Sequence, residues 1–242
     1  MVKEYLREAI AKRIAGDIVW SDNYGSALRK WRNVFNASQA EVARVMGISA
    51  SVISDYEKGR RTPGANFIKK FVDALIVIDG ERGWSVVKEL AKSLNIYSNA
   101  LVDVKELSSP MRLDELVSVV EGVIVNSYAS CDFIYGYTVI DSLEAIEDLS
   151  GNEFWQIMGV NTRRALIFSR VTTGRSPLIA IRVAPVKPAV VVLHGPTNVD
   201  PLAIRLADRE GLPLILSLAQ DLKTLVSKLR AWESFRLSAF ND

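Results

Sequence analysis

Residues 38–64 constrain the fold more than any other stretch, because they carry start and stop signals for two short helices. Ser38 is followed three residues later by Glu41, which is the capping-box pattern of a helix N-terminus. Gly47 stands where this helix would end, at a position that favours a residue with positive φ. Ser49 can then cap a second helix. We therefore expect two helices joined by a tight turn.

The second helix has one apolar side and one polar side. Val52, Ile53 and Tyr56 are spaced so that they can point into the protein, and Gly59 would end the helix. Two short helices joined by a glycine turn form a helix-turn-helix unit, whose second helix enters the major groove of DNA. The sequence predicts such a unit at residues 38–59.

Many positions of this stretch agree in type and spacing with one known pattern. They are Leu28-Arg29, Ser38-Gln39, Val42-Ala43, Gly47-Ile48-Ser49, Ile53-Ser54, Tyr56-Glu57, Gly59 and Pro63. Together they resemble the Cro/lambda-repressor-type family, also called the xenobiotic-response-element (XRE) family. The match runs from about residue 24 to residue 78, which is under a quarter of the chain.

The resemblance implies a role for each side of the second helix. The expected base-reading residues are Ala50, Ser51, Ser54 and Asp55. The expected phosphate contacts are Gln39, Arg29, Lys58, Arg60 and Arg61. The base-reading positions lack the Gln, Asn or Arg that makes a bidentate contact with a base. Specificity is therefore expected either to be modest or to rely on DNA shape and dimer spacing. For the arginines and the lysine, the alternative is a solvated basic face.

Charge is distributed unevenly although the net charge is only +2. Residues 1–75 carry 13 Lys and Arg against 8 Asp and Glu, whereas residues 108–242 carry 13 against 15. A basic head on a mildly acidic body fits a nucleic-acid-binding module attached to another domain. Ordinary surface scatter would explain the same numbers, so charge is only supporting evidence.

Length and composition favour two domains and exclude several classes of protein. No stretch is apolar enough to cross a membrane, and the first residues do not read as a secretion signal. Cys131 is the only cysteine and His194 the only histidine, so neither an internal disulfide nor a zinc site is expected. The protein is expected to be cytoplasmic, without a metal or another cofactor.

The segments around the motif also read as helices. We expect helices at residues 2–19, 24–35, 66–78 and 84–94, with a break at residues 80–83. Residues 95–110 have the composition of a linker, although residues 101–104 could form a short strand. The expected domains are a helical DNA-binding domain at residues 1–107 and an α/β regulatory or dimerisation domain at residues 108–242.

The second domain alternates short β-branched and aromatic runs with helical stretches. Strands are expected at residues 123–128, 133–140, 165–171, 178–183, 189–193 and 214–216. Helices are expected at residues 141–149, 153–158, 201–210 and 219–232. The predicted fold class is therefore a two-domain α plus α/β protein: an all-α helix-turn-helix head followed by an α/β domain with a mixed or parallel sheet.

A loop in the last third of the chain is a candidate effector site. It follows a strand and precedes a helix, where open α/β sheets bind ligands and where a helix N-terminus favours anions. A small anionic effector is expected near His194, Gly195, Thr197 and Asn198. The alternative is a simple β-to-α turn, capped by Asp200 before a proline. Residues 172–176 are either a hairpin turn, which we prefer, or a second anion contact.

The same region weakly resembles a DRTGG-type regulatory module. The matching residues are Ala207, Gly211, Pro213-Leu214-Ile215, Ser217 and Thr224. The similarity covers about forty residues, many of which any α/β unit would share.

The chain carries no catalytic motif, and we expect no enzyme activity. The prediction is a sequence-specific DNA-binding transcriptional regulator that forms a homodimer and can sense a small ligand. The alternative is a transcription cofactor or adaptor, whose helical head and α/β body mainly bind protein partners.

Overall fold

The computed structural model of the protein divides into two compact units, Met1–Tyr97 and Ser98–Asp242. It describes residues 2–94, 99–128, 130–151, 153–154 and 163–239, and the side chains of the last helix only up to residue 233. A helical unit is followed by a unit with a mixed sheet and helices, so the predicted fold class is confirmed. No helix in the described part of the chain is both long and apolar enough to span a membrane.

The described residues of the first unit form six helices joined by turns and short loops. Its elements are α1 (Glu4–Val19), α2 (Tyr24–Val34), α3 (Gln39–Met46), α4 (Ala50–Glu57), α5 (Ala65–Glu81) and α6 (Ser85–Ser93). The four predicted helices outside the motif are present with small differences at their ends.

Apolar faces of α1 and α5 form the centre of this unit. Ile10 and Ile14 of α1 are fully buried, as are Phe71 and Leu75 of α5. Burial of each such side chain contributes about 1.5–3 kcal/mol. Because α5 also contacts α3, this core supports the first helix of the helix-turn-helix unit from behind.

α5 ends at Glu81, inside the predicted break at residues 80–83. Gly80 is still helical, and a Cβ atom there would lie 2.8 Å from the Trp84 ring. Trp84 has a φ of +67° and lies with its ring 5.4 Å from the Arg7 guanidinium of α1. Glycine is therefore needed at position 80 for ring packing, not to end the helix.

The second unit is built on one sheet. Its strands are β1 (Leu101–Met111), β2 (Gly122–Ile124), β3 (Ile134–Asp141), β4 (Arg164–Ser169), β5 (Val190–His194) and β6 (Leu214–Ser217). Its helices are α7 (Leu113–Val119), α8 (Ser142–Asp148), α9 (Arg175–Val183), α10 (Pro201–Glu210) and α11 (Leu222–Ala239).

The strand order is β1-β3-β4-β5-β6-β2. β3 to β6 are parallel, while β1 and β2 pair antiparallel at the two edges. The three crossovers step in the same direction, so right-handed connections put α8, α9 and α10 on one face. On the other face Val139, Ile167 and Val192 pack with Leu116 of α7 and Leu225 of α11.

The predicted linker at residues 95–110 is largely an edge strand. β1 occupies residues 101–111, and the division between the units falls at residues 97/98, before the expected 107/108. β1 is anchored by side chains: Asp103 of β1 pairs with Arg230 of α11 and accepts a hydrogen bond from Tyr137, while Lys105 contacts Glu233 at 2.9 Å. Residues 95–98 of the expected linker lie outside the described residues.

The prediction of a strand at residues 178–183 is wrong, because these residues belong to α9. Leu178 and Ile181 are fully buried and stand three residues apart, which is helical spacing. Gly174, in the left-handed conformation, begins the helix.

Other differences in this unit are smaller. The strand predicted at residues 123–128 is limited to β2, and α7 was not predicted. Of the helix predicted at residues 153–158, residues 155–158 lie outside the described residues.

Candidate nucleic-acid interface

The N-terminus of α3 has the predicted capping box. The Ser38 hydroxyl accepts a hydrogen bond from the backbone N–H of Glu41 at 3.2 Å, and the Glu41 carboxylate accepts from the backbone N–H of Ser38 at 2.8 Å. Hydrogen bonds from the backbone N–H and the hydroxyl of Ser38, together with one from Arg82, lower the pKa of Glu41 to about 2. Gly47 ends α3 with a φ of +68°. The first helix and the turn are as predicted.

The start of α4 differs in one detail from the prediction. Ser49 is at the N-cap position, but its side chain makes no capping hydrogen bond. Its hydroxyl lies 2.8 Å from that of Ser51 instead. The prediction that the Ser49 side chain caps α4 is therefore wrong, because its hydroxyl pairs with that of Ser51.

One side of α4 is fixed in the unit. Ile53 is buried, and the Tyr56 ring stacks on Phe67 of α5 with 3.7 Å between ring centroids. Offset aromatic stacking adds to the stabilisation that burial provides. The predicted inward face of α4 therefore holds the helix against α5.

The other side of α4 carries the predicted base-reading residues. Ser51 is exposed, and Ala50, Ser54 and Asp55 are half-buried. Asp55 has two cationic neighbours just beyond the helix: Arg60 Nη1 at 3.2 Å and Arg61 Nε at 3.8 Å. Both arginines remain more than half exposed. The structure therefore brings two predicted phosphate contacts beside a predicted base-reading carboxylate.

Glu57, the last residue of α4, connects three helices. Its side chain is completely buried and accepts hydrogen bonds from Arg32 of α2 at 2.6 and 2.9 Å. Gln39 of α3 donates another at 2.8 Å, and Arg29 of α2 lies 3.5 Å away. A bidentate arginine pair fixes direction as well as distance. Glu57 therefore sets the orientation of α4 relative to α2 and α3.

Two opposing effects act on the pKa of Glu57. Burial raises it, while the hydrogen bonds from Arg32 and Gln39 lower it, and the result is a pKa below the ordinary value. The hydrogen bonds to Glu57 raise the pKa of Arg32. The buried carboxylate is therefore ionised at neutral pH.

The contact of Arg32 with Glu57 was not predicted from the sequence, whereas Gln39 and Arg29 were predicted to contact phosphate. Gln39 uses one amide N–H for Glu57, and Arg29 is half-exposed. Since a glutamine amide has two N–H donors and a guanidinium five, both side chains keep donors for a second partner. Lys58, which follows α4 directly, is exposed.

The candidate effector loop lies at the carboxyl end of β5. His194 is buried and its Nδ1 lies 3.3 Å from the Ser217 hydroxyl. Ser217 donates its only proton to the Val120 carbonyl at 2.8 Å, so the histidine nitrogen is assigned as the donor. Burial lowers the pKa of His194, and the charge of Asp221 opposes this in part. His194 is therefore neutral at pH 7, with Nε2 as a hydrogen-bond acceptor.

The loop at residues 172–176 lies beside this one. The Thr173 carbonyl accepts a hydrogen bond from the Asp200 backbone at 2.9 Å, and Arg175 pairs with the Asp200 carboxylate at 2.5 Å. The hairpin interpretation is wrong, because these residues connect β4 to α9. Asp200 also caps α10, as the alternative interpretation of the effector loop predicts.

Gly195, Thr197 and Asn198 of the effector loop are exposed. Within the described ranges, no three His, Cys, Asp or Glu side chains come close enough together to hold a metal ion.

Comparison with known proteins gives two kinds of match. A helix-turn-helix family model matches residues 28–77, which include α3 and α4. A protein of Archaeoglobus fulgidus, named as an uncharacterized HTH-type transcriptional regulator, is 48% identical over 86% of this chain and 91% of its own length. One of Methanocaldococcus jannaschii with the same description is 46% identical over 92% of this chain and 94% of its own. No solved structure matches the chain.

Proposed function

The chain belongs to the family of HTH-type transcriptional regulators, and we propose that it recognises specific sequences of double-stranded DNA through α4, as a homodimer. The observation that carries this proposal is the position of α4. One side is held by Glu57, Ile53 and Tyr56, and the other side is partly exposed to solvent. A helix fixed in this way can enter the major groove without losing its orientation.

The open side of α4 offers small polar and apolar groups to base edges. Ala50 can contact a thymine methyl group, and the hydroxyls of Ser51 and Ser54 can bond to several base edges. Asp55 can accept a hydrogen bond from N4 of cytosine.

Phosphate contacts would surround this reading surface. Arg60, Arg61 and Lys58 follow α4, while Gln39 and Arg29 approach from α3 and α2. Most protein–DNA hydrogen bonds go to phosphates and fix the register of the protein on the duplex. Because Gln39 and Arg29 also contact Glu57, phosphate contacts through them would be coupled to the orientation of α4.

A dimer would double the small DNA surface that a single α4 reaches. Helix-turn-helix dimers read two half-sites about 10 base pairs apart, and the two-fold symmetry of the protein is matched by an inverted repeat. We propose that the α/β unit supplies the dimer interface.

We further propose that the α/β unit senses a small anionic effector at the loop of His194, Gly195, Thr197 and Asn198. Gly195, Thr197 and Asn198 are the accessible part of this site. His194 would contribute an acceptor while it is neutral and a donor once it is protonated. The regulator would act in the cytoplasm and catalyse no reaction.

The salt dependence of DNA binding tests the proposed interface. Fluorescence anisotropy with a labelled random-sequence duplex would compare the native chain with the double variant Arg60→Ala/Arg61→Ala. The logarithm of the binding constant falls linearly with the logarithm of the salt concentration, and each phosphate contact contributes about −0.9 to this slope. The loss of two contacts should therefore make the slope of the variant less negative by about 1.8. Arg112→Ala, an exposed change in the α/β unit, is the matched control and should leave the slope unchanged.

An unchanged slope in the double variant would remove Arg60 and Arg61 from the interface. If the native chain bound no duplex at any salt concentration, the protein-binding adaptor would replace the DNA-binding regulator as the proposed function.

A further inference from the structure

A groove of about 740 Å³ runs between α1 and α5 on the surface of the first unit. Its lining includes the small residues Ala11 and Ala15 of α1 and the buried Val72 of α5. Trp20, which follows α1 directly, is 91% exposed and is not among the described residues that line the groove. We propose that two copies of the chain associate through their first units, with Trp20 of each copy in the groove of the other.

The two helices that form the groove run in opposite directions. The Arg7 guanidinium, near the start of α1, lies 5.4 Å from the centre of the Trp84 ring. A Cβ atom at Gly80, near the end of α5, would lie 2.8 Å from the same ring. The start of α1 therefore lies beside the end of α5. Val19 and Val77, which are both exposed, consequently line opposite ends of the groove.

The charged residues among the described lining residues include both signs in equal number. They are Glu4, Glu8 and Asp73 against Arg7, Lys12 and Lys69. Within α1, Glu8 and Lys12 pair with each other at 2.8 Å. A nucleic acid would need an excess of cations, and a strongly charged protein partner would need an excess of the opposite sign. The balanced charges therefore favour a partner with balanced charges, such as a second copy of this groove.

The two ends of the groove differ in charge. In the first half of α1, Glu4 and Glu8 outnumber Arg7, so the end beside the last turn of α5 is acidic. Lys69 stands one turn after the start of α5 and makes the other end basic. A two-fold axis across the middle of the groove would bring the acidic end of each copy to the basic end of the other. The charge pattern therefore fits an antiparallel pair of copies.

The same axis would place Trp20 and Val19 of one copy against Val77 of the other. Tryptophan is enriched among the residues that supply most of the binding energy of protein interfaces. The small side chains of Ala11 and Ala15 leave room for an indole ring in the groove. The two tryptophans alone would bury about 300–500 Å². Since stable interfaces bury about 1,200–2,000 Å², the walls of both grooves would supply the remaining area.

This contact goes beyond the proposed function, in which the α/β unit supplies the dimer interface and α4 reads DNA. Association can be measured without DNA, so a failure of this inference is distinguishable from a failure of DNA binding.

Sedimentation equilibrium of the full chain, over a range of protein concentrations, would give the dissociation constant of the dimer. Trp20→Ser should raise this constant at least about tenfold, because each dimer loses two tryptophan contacts. Val34→Ser, at another exposed apolar position of the first unit, is the matched control and should leave the constant unchanged.

Disulfide cross-linking would test the antiparallel arrangement, with Trp20 kept in place and Cys131→Ser in every chain. A Val19→Cys chain, mixed with a Val77→Cys chain and oxidised, should form a disulfide between the two. Neither chain should cross-link efficiently with itself, because the axis separates like positions. A Val34→Cys chain in place of the Val19→Cys chain is the control and should not cross-link.

A dissociation constant that Trp20→Ser leaves unchanged would overturn this contact and leave the proposed α/β interface in place. A monomeric native chain would overturn both dimer contacts and assign the groove to a different protein. Cross-linking of the Val19→Cys chain with itself, in preference to the Val77→Cys chain, would overturn the antiparallel arrangement.

Discussion

Each unit holds a buried carboxylate against an arginine: Glu57 with Arg32 in the first unit, and Asp103 with Arg230 in the second. The partners of the first pair are 25 residues apart, whereas those of the second are 127 apart. Glu57 orients a helix that carries candidate functional residues. Asp103 instead ties the first strand of the sheet to the last helix, with help from the Tyr137 hydroxyl at 3.0 Å.

The two pairs have different consequences for the molecule. Burial of an ion pair gives little net stability, but removal of one partner leaves an unpaired charge at high cost. In the first unit that cost would fall on the orientation of α4, and therefore on DNA binding. In the second unit the cost would fall on the attachment of the edge strand β1 to α11.

The largest effect is expected from Arg32→Met. The change leaves the fully buried Glu57 carboxylate without its bidentate partner, which should lower the unfolding free energy of the first unit by about 3–5 kcal/mol. Native-state hydrogen exchange, read separately for the two units, would measure the loss. Arg29→Met removes a half-exposed neighbour of the same carboxylate and should cost less than about 1 kcal/mol. Similar losses in the two variants would contradict the assigned role of Arg32.

A smaller effect is expected from Arg230→Met. Asp103 keeps its hydrogen bond from Tyr137, so the second unit should lose about 2–3 kcal/mol. Protection of the β1 amides should fall most, while α3 and α4 keep theirs. Lys228 lies on the same helix as Arg230 and forms an exposed pair with Glu121, so Lys228→Met is the control and should cost less than about 1 kcal/mol. Loss of protection in α4 would show that the two pairs do not act on separate units.

The smallest effect is a difference in pH dependence. His194 has a lowered pKa, so its contribution to stability is present above its ordinary value of 6.5 and is lost as pH falls toward the folded-state pKa. Glu57 also has a lowered pKa, but its contribution is lost only as pH falls below its ordinary value of 4.5. The second unit should therefore lose stability first on acidification, by at most about 1.4 kcal/mol per pH unit.

Denaturant unfolding at a series of pH values would measure this difference. His194→Gln should remove the loss near pH 6, and Glu57→Gln should remove the loss at lower pH. A first unit that weakened before the second would contradict both assignments.

The fold of the first unit could be predicted because its signals are local. The capping box of Ser38 and Glu41, the turn at Gly47 and the helical spacing of Ile10 and Ile14 all lie within a few residues of the elements they specify. The contact between Arg32 and Glu57 was not predicted because the two residues are 25 positions apart and no local pattern names the partner of a buried carboxylate.

The second unit was harder to predict because its decisive contacts are distant in sequence. β1 contains Asp103 and Glu106 and reads as a polar linker, but Arg230 neutralises Asp103 from the far end of the chain. α9 contains a short apolar run that suits a helix as well as a strand, and only packing decides between them. The alternation of strands and helices predicted a mixed or parallel sheet, but the parallel pairing of β4 with β5 across α9 was not predicted.

Selection of bound duplexes from a random pool would test most directly whether α4 reads DNA as part of a dimer. Purified full-length protein at near-physiological salt should enrich an inverted repeat with half-sites about 10 base pairs apart. Asp55→Ala should change the preferred base at one position in each half-site and leave the spacing unchanged. Absence of any enriched sequence from a folded native protein, or the same enriched sequence for the variant, would contradict base reading by α4.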